Sequence, residues 1–570
     1  MKPHFPFNQA QFYYPGQEIR IKEHSYYNIS ENDFKDLEKG RNRLVVIAVF
    51  FVFAFVAISA KLFEFTVLKE VGEVKSANAS SYSLDIKMSR ADITDRNGIV
   101  LATSLPTVNL YSDNSKIEDV EKAAKALVET IPSLKYEDVK KRLERKTHFV
   151  YLKRNLTPKE KYAVNRLGFP AFNFENGEKR VYPQGKLFAH IVGAVDIDNN
   201  GLSGLEKNFD EELTTKSEPL RLSVDAGVQD SVRSILASSL KQYKALGGTA
   251  IVMDVNSSEI ISMVSLPDYD PNNVKSADYN SLFNRSTLGV YETGSVFKIF
   301  NTAMALESGK LKLSDKIDSS PLVLANYTIK DLHPQNRPLT PKEIMVHSSN
   351  TASARIAMSL GAEKQKAFLA KVGLLRPLNV ELPEKSKPLV PDRWWESTIV
   401  NVSFGYGIAV TPLHVVNAVG AVVNGGVYRP ASLLVSRNNK LPPGTRIMTE
   451  KNSKIMRQLL RAVVTEGTGR NSDVSGYDVG GKTGSAERLG ENGKYLKGSL
   501  RTSFVAVFPS EKPKYALIVM LDAPQKTKET HGFNTAGWNV VPTAKNIIET
   551  IAPQLDVLPD FSVKEGKGFI

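Results

Sequence analysis

Glu292 to Lys310 reads ETGSVFKIFNTAMALESGK. Ser295 follows a glycine, Lys298 comes three residues later, and a helical pattern then runs to a stop at Gly309. Positions i and i+3 share one face of a helix, so this spacing lets the hydroxyl meet the amine. A helix cap beside a solvated lysine has the same spacing, and so does a nucleophile beside its base. Ser-x-x-Lys alone decides nothing, since about two or three matches arise by chance in a chain this long. A second match, Ser238-Ser239-Leu240-Lys241, has no glycine before it and falls late in a helix, so it reads as surface.

Two further stretches join the first. TPKEIMVHSSNTASARIAMSLG opens a helix at Thr340, with Pro341 just inside it and Glu343 at the capping-box position. That helix runs into Ser348-Ser349-Asn350, a junction able to aim a hydroxyl and an amide into one cleft. Ser76-Ala77-Asn78, Ser112-Asp113-Asn114 and Ser436-Arg437-Asn438 share the Ser-x-Asn pattern and read as turns. DVGGKTGSAERL contains the one Lys-Thr-Gly of the chain, Lys482-Thr483-Gly484, against roughly a tenth expected by chance. Its glycines allow another backbone to approach a strand closely.

The 570 residues suffice for two or three domains, and 42% are hydrophobic. The absence of cysteine excludes disulfides and thiolate catalysis. A net charge of +13 suits a membrane surface, an acidic polymer or nucleic acid. No zinc finger, helix-turn-helix or aromatic-interleaved basic run is present, so nucleic acid is not expected as a partner.

LVVIAVFFVFAFVAISA, Leu44 to Ala60, has no polar face and is flanked by Lys39, Arg41 and Arg43. Its length and flanks predict one uncleaved transmembrane helix over 44–63, with residues 1–43 in the cytoplasm. The remainder divides into a mixed α/β segment over 64–218, a second domain over 219–553 and a tail over 554–570. Hairpins are expected at GGTAIVMDVNSSEIISMVS and TSFVAVFPSEKPKYALIVMLDAP, near the two ends of the second domain. With helices between them, they predict an α+β fold: one antiparallel sheet built from both ends and flanked by helices.

In this order, Ser-x-x-Lys, Ser-x-Asn and Lys-Thr-Gly are the signature of penicillin-binding proteins and serine β-lactamases, which the chain resembles. RADITDRNGIVLATS (Arg90–Ser104), RVYPQGKLFAHIVG (Arg180–Gly193) and GLSGLEKNFDEEL (Gly201–Leu213) resemble the pedestal, or dimerisation-type, motifs of class B penicillin-binding proteins. SLPDYDPN, SFGYGIAVTPLH and NGGVYRP resemble stretches of the class B transpeptidase domain, and β-lactamases lack the pedestal. The length, ETGSVFK in place of a proline-containing loop, and the tail TAGWNVVPTAKNIIETIAP resemble the cell-division branch more than the elongation branch. Ser485 stands where many relatives have threonine.

The resemblance implies a D,D-transpeptidase acting on peptidoglycan stem peptides ending in D-Ala-D-Ala and inhibited by β-lactams. It implies no metal and no cofactor. Expected partners are the membrane, a membrane-embedded glycan polymerase and other divisome proteins. Ser295 would be the nucleophile. Lys298 would be its base, kept neutral by burial and by the like charge of Lys482. Ser348 would relay a proton, and Asn350 would hold the substrate amide through donor and acceptor. Lys482, Thr483, Gly484 and Ser485 would bind the substrate, with the N–H groups of Ser295 and Ser485 as oxyanion hole. Alternatives are an elongation-type enzyme or a penicillin sensor, although residues 1–43 are short for a sensor's effector.

Overall fold

A computed structural model describes residues 45–59, 61, 89–324, 327–436, 440–490 and 492–561. The expected cytoplasmic segment 1–43, residues 64–88, the Ser76 motif, most of the Ser436 motif and the end of the tail lie outside the described residues. The chain divides into two compact units, residues 1–86 and 87–570. In the first, residues 45–59 are helical and almost all exposed. Among the described residues no helix is long and apolar enough to cross a membrane; residues 44, 60, 62 and 63 of the expected span are not among them.

The second unit begins with a five-stranded sheet. Strands β1 (Ile93–Thr94), β2 (Val100–Ser112), β3 (Val150–Leu156) and β4 (Phe172–Val181) are joined by β5 (Leu220–Arg221), which pairs with β1 in parallel. The long β2 holds both β3 and β4. Helices Val120–Thr130 and Tyr136–Leu143 cover it through Ala123, Leu127, Val139 and Leu143. The helix Pro158–Asn165 starts as its sequence dictates, with Thr157 and Glu160 closing a capping box.

The three pedestal-like stretches meet in one buried ion cluster. Arg90 Nε lies 2.6 Å from Glu206 Oε2, Arg180 Nε lies 2.7 Å from Glu206 Oε1, and Arg90 Nη1 lies 2.7 Å from Asp210 Oδ1. Arg90, Arg180 and Glu206 are all buried. Each stretch therefore supplies a charge that the others neutralise, which is what permits these side chains to leave water.

The second sheet comes from both ends of its domain. After β6 (Gly247–Asp254) and β7 (Ile260–Leu266) come two short ribbons, β8 (Leu322–Leu324) with β9 (Tyr327–Ile329) and β10 (Val427–Tyr428) with β11 (Thr445–Arg446). Strands β12 (Gly480–Leu489), β13 (Tyr495–Phe508) and β14 (Tyr515–Asp522) complete an antiparallel sheet in the order β12-β13-β14-β6-β7. The expected hairpins and the antiparallel sheet are thus present.

Alternation along the strands explains why they read as nearly unbroken hydrophobic runs. Ile251, Met253, Val505, Val507, Ala516 and Ile518 face one core. Ala250, Val252, Phe504, Ala506, Leu517 and Val519 face the other. Helices Ala226–Gln242 and Val540–Gln554 fill the second core, through Val228, Val232, Leu236, Ile547 and Ile551. Helices Lys298–Glu307, Pro412–Val423 and Glu450–Glu466 fill the first. The helix that follows Ser295 is therefore a core element, and its Lys298 is buried with it.

Candidate active site

Ser295 lies in a 3-10 turn, Gly294–Phe297, and the α-helix begins only at Lys298. The sequence suggests a single helix through both. The tighter turn has three residues per revolution, which stacks residue i on residue i+3. Lys298 Nζ accordingly lies 2.9 Å from Ser295 Oγ. Gly294 adopts φ +57°, and a Cβ there would stand 2.8 Å from the Ser485 carbonyl oxygen. Only glycine lets the nucleophile turn lie this close to β12.

The Ser-x-Asn junction approaches from the other side. Thr340 and Glu343 close the expected capping box on the helix Pro341–His347. Ser348 then adopts φ +57° and ψ +44°, a left-handed conformation uncommon for serine. This one residue reverses the chain. Ser349 caps the next helix, Asn350–Leu360, accepting from Ala352 N. The reversal turns two oxygens of Ser348 onto Lys298: its carbonyl at 2.5 Å and its hydroxyl at 3.1 Å. Asn350 Oδ1 accepts from the same Nζ at 2.7 Å. The acceptor end of Asn350, expected to hold a substrate, is thus engaged by the lysine.

Lys482 enters from β12. Its Nζ donates to Ser348 Oγ at 2.9 Å and to the Thr483 carbonyl at 3.2 Å. Both lysines are completely buried. Burial pushes the Lys298 amine well below its ordinary value; Lys482 adds to this and Asp331 opposes it. Burial brings the Lys482 amine down to about 7. Ser295 and Ser348 stay half-buried, so a ligand can reach hydroxyls whose amines are sealed from water.

The remaining motif residues line the same cleft. Thr483 Oγ1 is 2.7 Å from Thr468 Oγ1. Ser485 Oγ accepts from Ala536 N at 3.1 Å, which leaves the hydroxyl hydrogen to be donated elsewhere. A Cβ at Gly484 would stand 2.2 Å from the Thr293 carbonyl, so this strand position admits glycine alone. β12 is the outermost strand of its sheet. All eight expected site residues thus gather in one cleft. The decoys do not: Ser238 and Lys241 are exposed on the helix Ala226–Gln242, and Ser112 ends β2. No cluster able to hold a metal occurs among the described residues.

Several contributors lie outside the three motifs. Asp331 accepts four hydrogen bonds around the start of the Asn350 helix. Thr468 holds the Thr483 hydroxyl. At the rim, Tyr406 OH accepts from Glu487 N at 3.4 Å, and its ring packs edge-on against Tyr495. Tyr495 OH donates to Glu292 at 2.9 Å, and Glu292 also accepts from Gly407 N at 2.6 Å. Burial pushes the Glu292 carboxyl above its usual range. Tyr406 and Glu292 lie in SFGYGIAVTPLH and ETGSVFK, stretches that carry the family resemblance, whereas Asp331, Thr468 and Tyr495 are common residue types with nothing local to mark them.

Comparison with known proteins gives the family. Residues 248–549 match the penicillin binding protein transpeptidase domain, and residues 85–242 match the penicillin-binding protein dimerisation domain. The chain is 33% identical over 538 residues to a probable peptidoglycan D,D-transpeptidase FtsI of Caulobacter vibrioides, covering 91% of this chain and 89% of that one. It is 27% identical over 545 residues to the peptidoglycan D,D-transpeptidase FtsI of Escherichia coli, covering 88% and 90%. In fold it is similar to penicillin binding protein 3 of Mycobacterium tuberculosis, solved with aztreonam, at a TM-score of 0.65 and 23% identity over 83% of this chain and 97% of that one. The chain belongs to the penicillin-binding-protein transpeptidase family, in the class B arrangement that sets a dimerisation domain ahead of the transpeptidase domain, and is similar there to peptidoglycan D,D-transpeptidases named FtsI.

Proposed function

We propose that this protein cross-links peptidoglycan stem peptides at the division septum through an acyl-enzyme on Ser295, and that β-lactams inhibit it by acylating the same oxygen. The observation that carries the chemistry is the set of partners around Lys298. The Ser348 carbonyl and Asn350 Oδ1 have no hydrogen to give, so each takes one from Nζ. A neutral amine has only two hydrogens, and both are then committed. Its lone pair is left for a hydroxyl: Ser295 Oγ, at 2.9 Å, is nearer than Ser348 Oγ at 3.1 Å, and in the proposed state it donates to the amine. The lowered proton affinity of Lys298 supports that neutral form.

In acylation, Ser295 Oγ bonds to the carbonyl carbon of the penultimate D-Ala while its proton passes to Lys298 Nζ. The N–H groups of Ser295 and Ser485 receive the developing oxyanion. The proton leaves Lys298 through Ser348 Oγ to the departing nitrogen, the C–N bond breaks, and terminal D-Ala is released. The amine of a neighbouring stem then attacks the ester, its proton returns by the same route, and Ser295 is freed. The outer edge of β12 suits an extended peptide added as a strand, with the Ser485 hydroxyl and Lys482 near its terminal carboxylate. Asn350 Nδ2 is the end of that amide left for the substrate.

Labelling with a fluorescent penicillin tests this reading. Ser238→Ala should label like the wild type and Ser295→Ala not at all; retained labelling of Ser295→Ala refutes the assignment. The septal role follows the division-type relatives, and a fluorescent fusion confined to the side wall would contradict it. The apolar run 44–63 and its basic flank support a single membrane anchor with residues 1–43 in the cytoplasm. Protease added outside spheroplasts should then leave a small membrane-bound remnant, whereas a mature N-terminus near residue 61 would mean the segment is cleaved.

A further inference from the structure

We infer that Asp331 is a positioning residue of this site: its carboxylate sets the first turn of the Asn350 helix, and through it the atoms that hold and tune Lys298. The inference rests on Lys298 acting as the base.

Asp331 follows β9, outside both helices of the Ser-x-Asn junction. Its Oδ1 accepts from Asn350 N at 2.6 Å and from Thr351 N at 2.9 Å. Its Oδ2 accepts from Ser349 Oγ at 2.6 Å and Thr351 Oγ1 at 3.1 Å. The first N–H groups of a helix have no partner within it. Here Ser349 serves Ala352 N alone, and Asp331 serves the two N–H groups that the cap does not reach. A negative charge is also favoured at this end of a helix. The first turn is thereby held by a carboxylate from another segment, and what it holds is functional. Asn350 presents Oδ1 to Lys298, and Ser348, two residues earlier, presents its carbonyl and hydroxyl.

The carboxylate is one residue removed from the lysine it serves: Asp331 holds the Asn350 backbone, and the Asn350 side chain holds Nζ. Two charged groups face Lys298, Lys482 from β12 and Asp331 from behind the junction. The other groups on Nζ, from Ser295, Ser348 and Asn350, are uncharged. Lys482 favours the neutral amine and Asp331 the ammonium. Asp331 therefore keeps the base from becoming too weak to take the serine proton, while holding the oxygens that aim it. Catalytic efficiency is greatest when a base's proton affinity matches the working pH, so a balance of this kind has a purpose.

The test is the pH profile of acylation of the full chain by a chromogenic β-lactam, followed by stopped flow. Wild type, Asp331→Asn and Asp331→Glu are compared, with Asp331→Ser in parallel should the asparagine variant not fold. Acylation should fall on the acid side, where Lys298 becomes protonated. In Asp331→Asn the plateau should drop about ten- to a hundredfold, the scale of a misplaced catalytic group. Its acid limb should move to lower pH, because the charge favouring the ammonium has gone. Asp331→Glu should keep the limb at its wild-type position. An asparagine or serine variant whose limb stays in place, whatever its plateau, makes Asp331 a structural cap only and overturns the inference. So does a glutamate variant whose limb moves with that of the asparagine variant. A wild type that is not acylated, or has no acid limb, overturns the reading of Lys298 as well, which separates the two failures.

Discussion

Lys298 and Lys482 share a single hydroxyl: Ser348 Oγ lies 3.1 Å from the first Nζ and 2.9 Å from the second. Two buried ammonium groups on one oxygen would repel each other strongly in a medium of low dielectric. The arrangement is stable because burial lowers the proton affinity of both amines. A proton on Ser348 thus has a ready acceptor on either side, which is what a relay between base and leaving group requires.

Ser348→Gly separates the role of this hydroxyl from that of its backbone. Glycine adopts the φ of +57° at this position without strain, so the variant should melt close to the wild type. Acylation should nevertheless fall about a hundredfold or more, the range associated with loss of assisted proton transfer. Near wild-type acylation by this variant would remove Ser348 from the relay.

Lys482→Met should raise the melting temperature while impairing acylation. An amine whose folded proton affinity is lowered to about 7 costs stability wherever the unfolded chain would be protonated. That cost is absent above the unfolded lysine value of about 10.4, grows as the pH falls towards 7, and is constant below it. Methionine removes it, and Ser348 Oγ keeps Lys298 as a partner. The expected gain is about 1–4 kcal/mol at pH 7, shrinking as the pH approaches 10. Thermal melts of both proteins between those pH values check this. A gain independent of pH, or a loss, would mean that burial of the amine is not what strains the site.

Glu206→Ala leaves Arg90 and Arg180 buried around a missing charge, with Asp210 reaching only the first. Breaking a buried ion cluster in this way costs about 3–5 kcal/mol. Chemical denaturation should show the loss. A change below about 1 kcal/mol would mean that water or a rearranged partner takes the carboxylate's place.

What the sequence discloses is local. The i, i+3 spacing of Ser295 and Lys298, the capping boxes at Thr157 and Thr340, and the alternating hairpins each depend on neighbours within a few residues. The sheet built from both ends follows from where the apolar strands stand in the chain. Ser348 is legible from its motif, but its conformation is not, because nothing distinguishes a left-handed serine from any other. Asp331 and Thr468 were hidden because each acts on a motif residue reached only through the fold. The engagement of the Asn350 carbonyl by Lys298 was hidden for the same reason: spacing shows that two side chains share a cleft, and not which atoms pair within it. Burial of Lys298 is expected from its role, whereas the complete burial of Lys482 follows from the packing of β12 in the core, which no local pattern reports.

The central claim is that Lys298 acts by taking a proton, and Lys298→Arg tests it most directly. Arginine keeps a long side chain with hydrogen-bond donors, but it carries a positive charge and does not give up its proton at any working pH. If Lys298 is the base, the variant should fold and yet be acylated by a chromogenic β-lactam about a hundred- to ten-thousandfold more slowly. Stopped-flow acylation at saturating β-lactam is the measurement. Acylation of the arginine variant at a near wild-type rate would make Lys298 an electrostatic anchor and contradict the account.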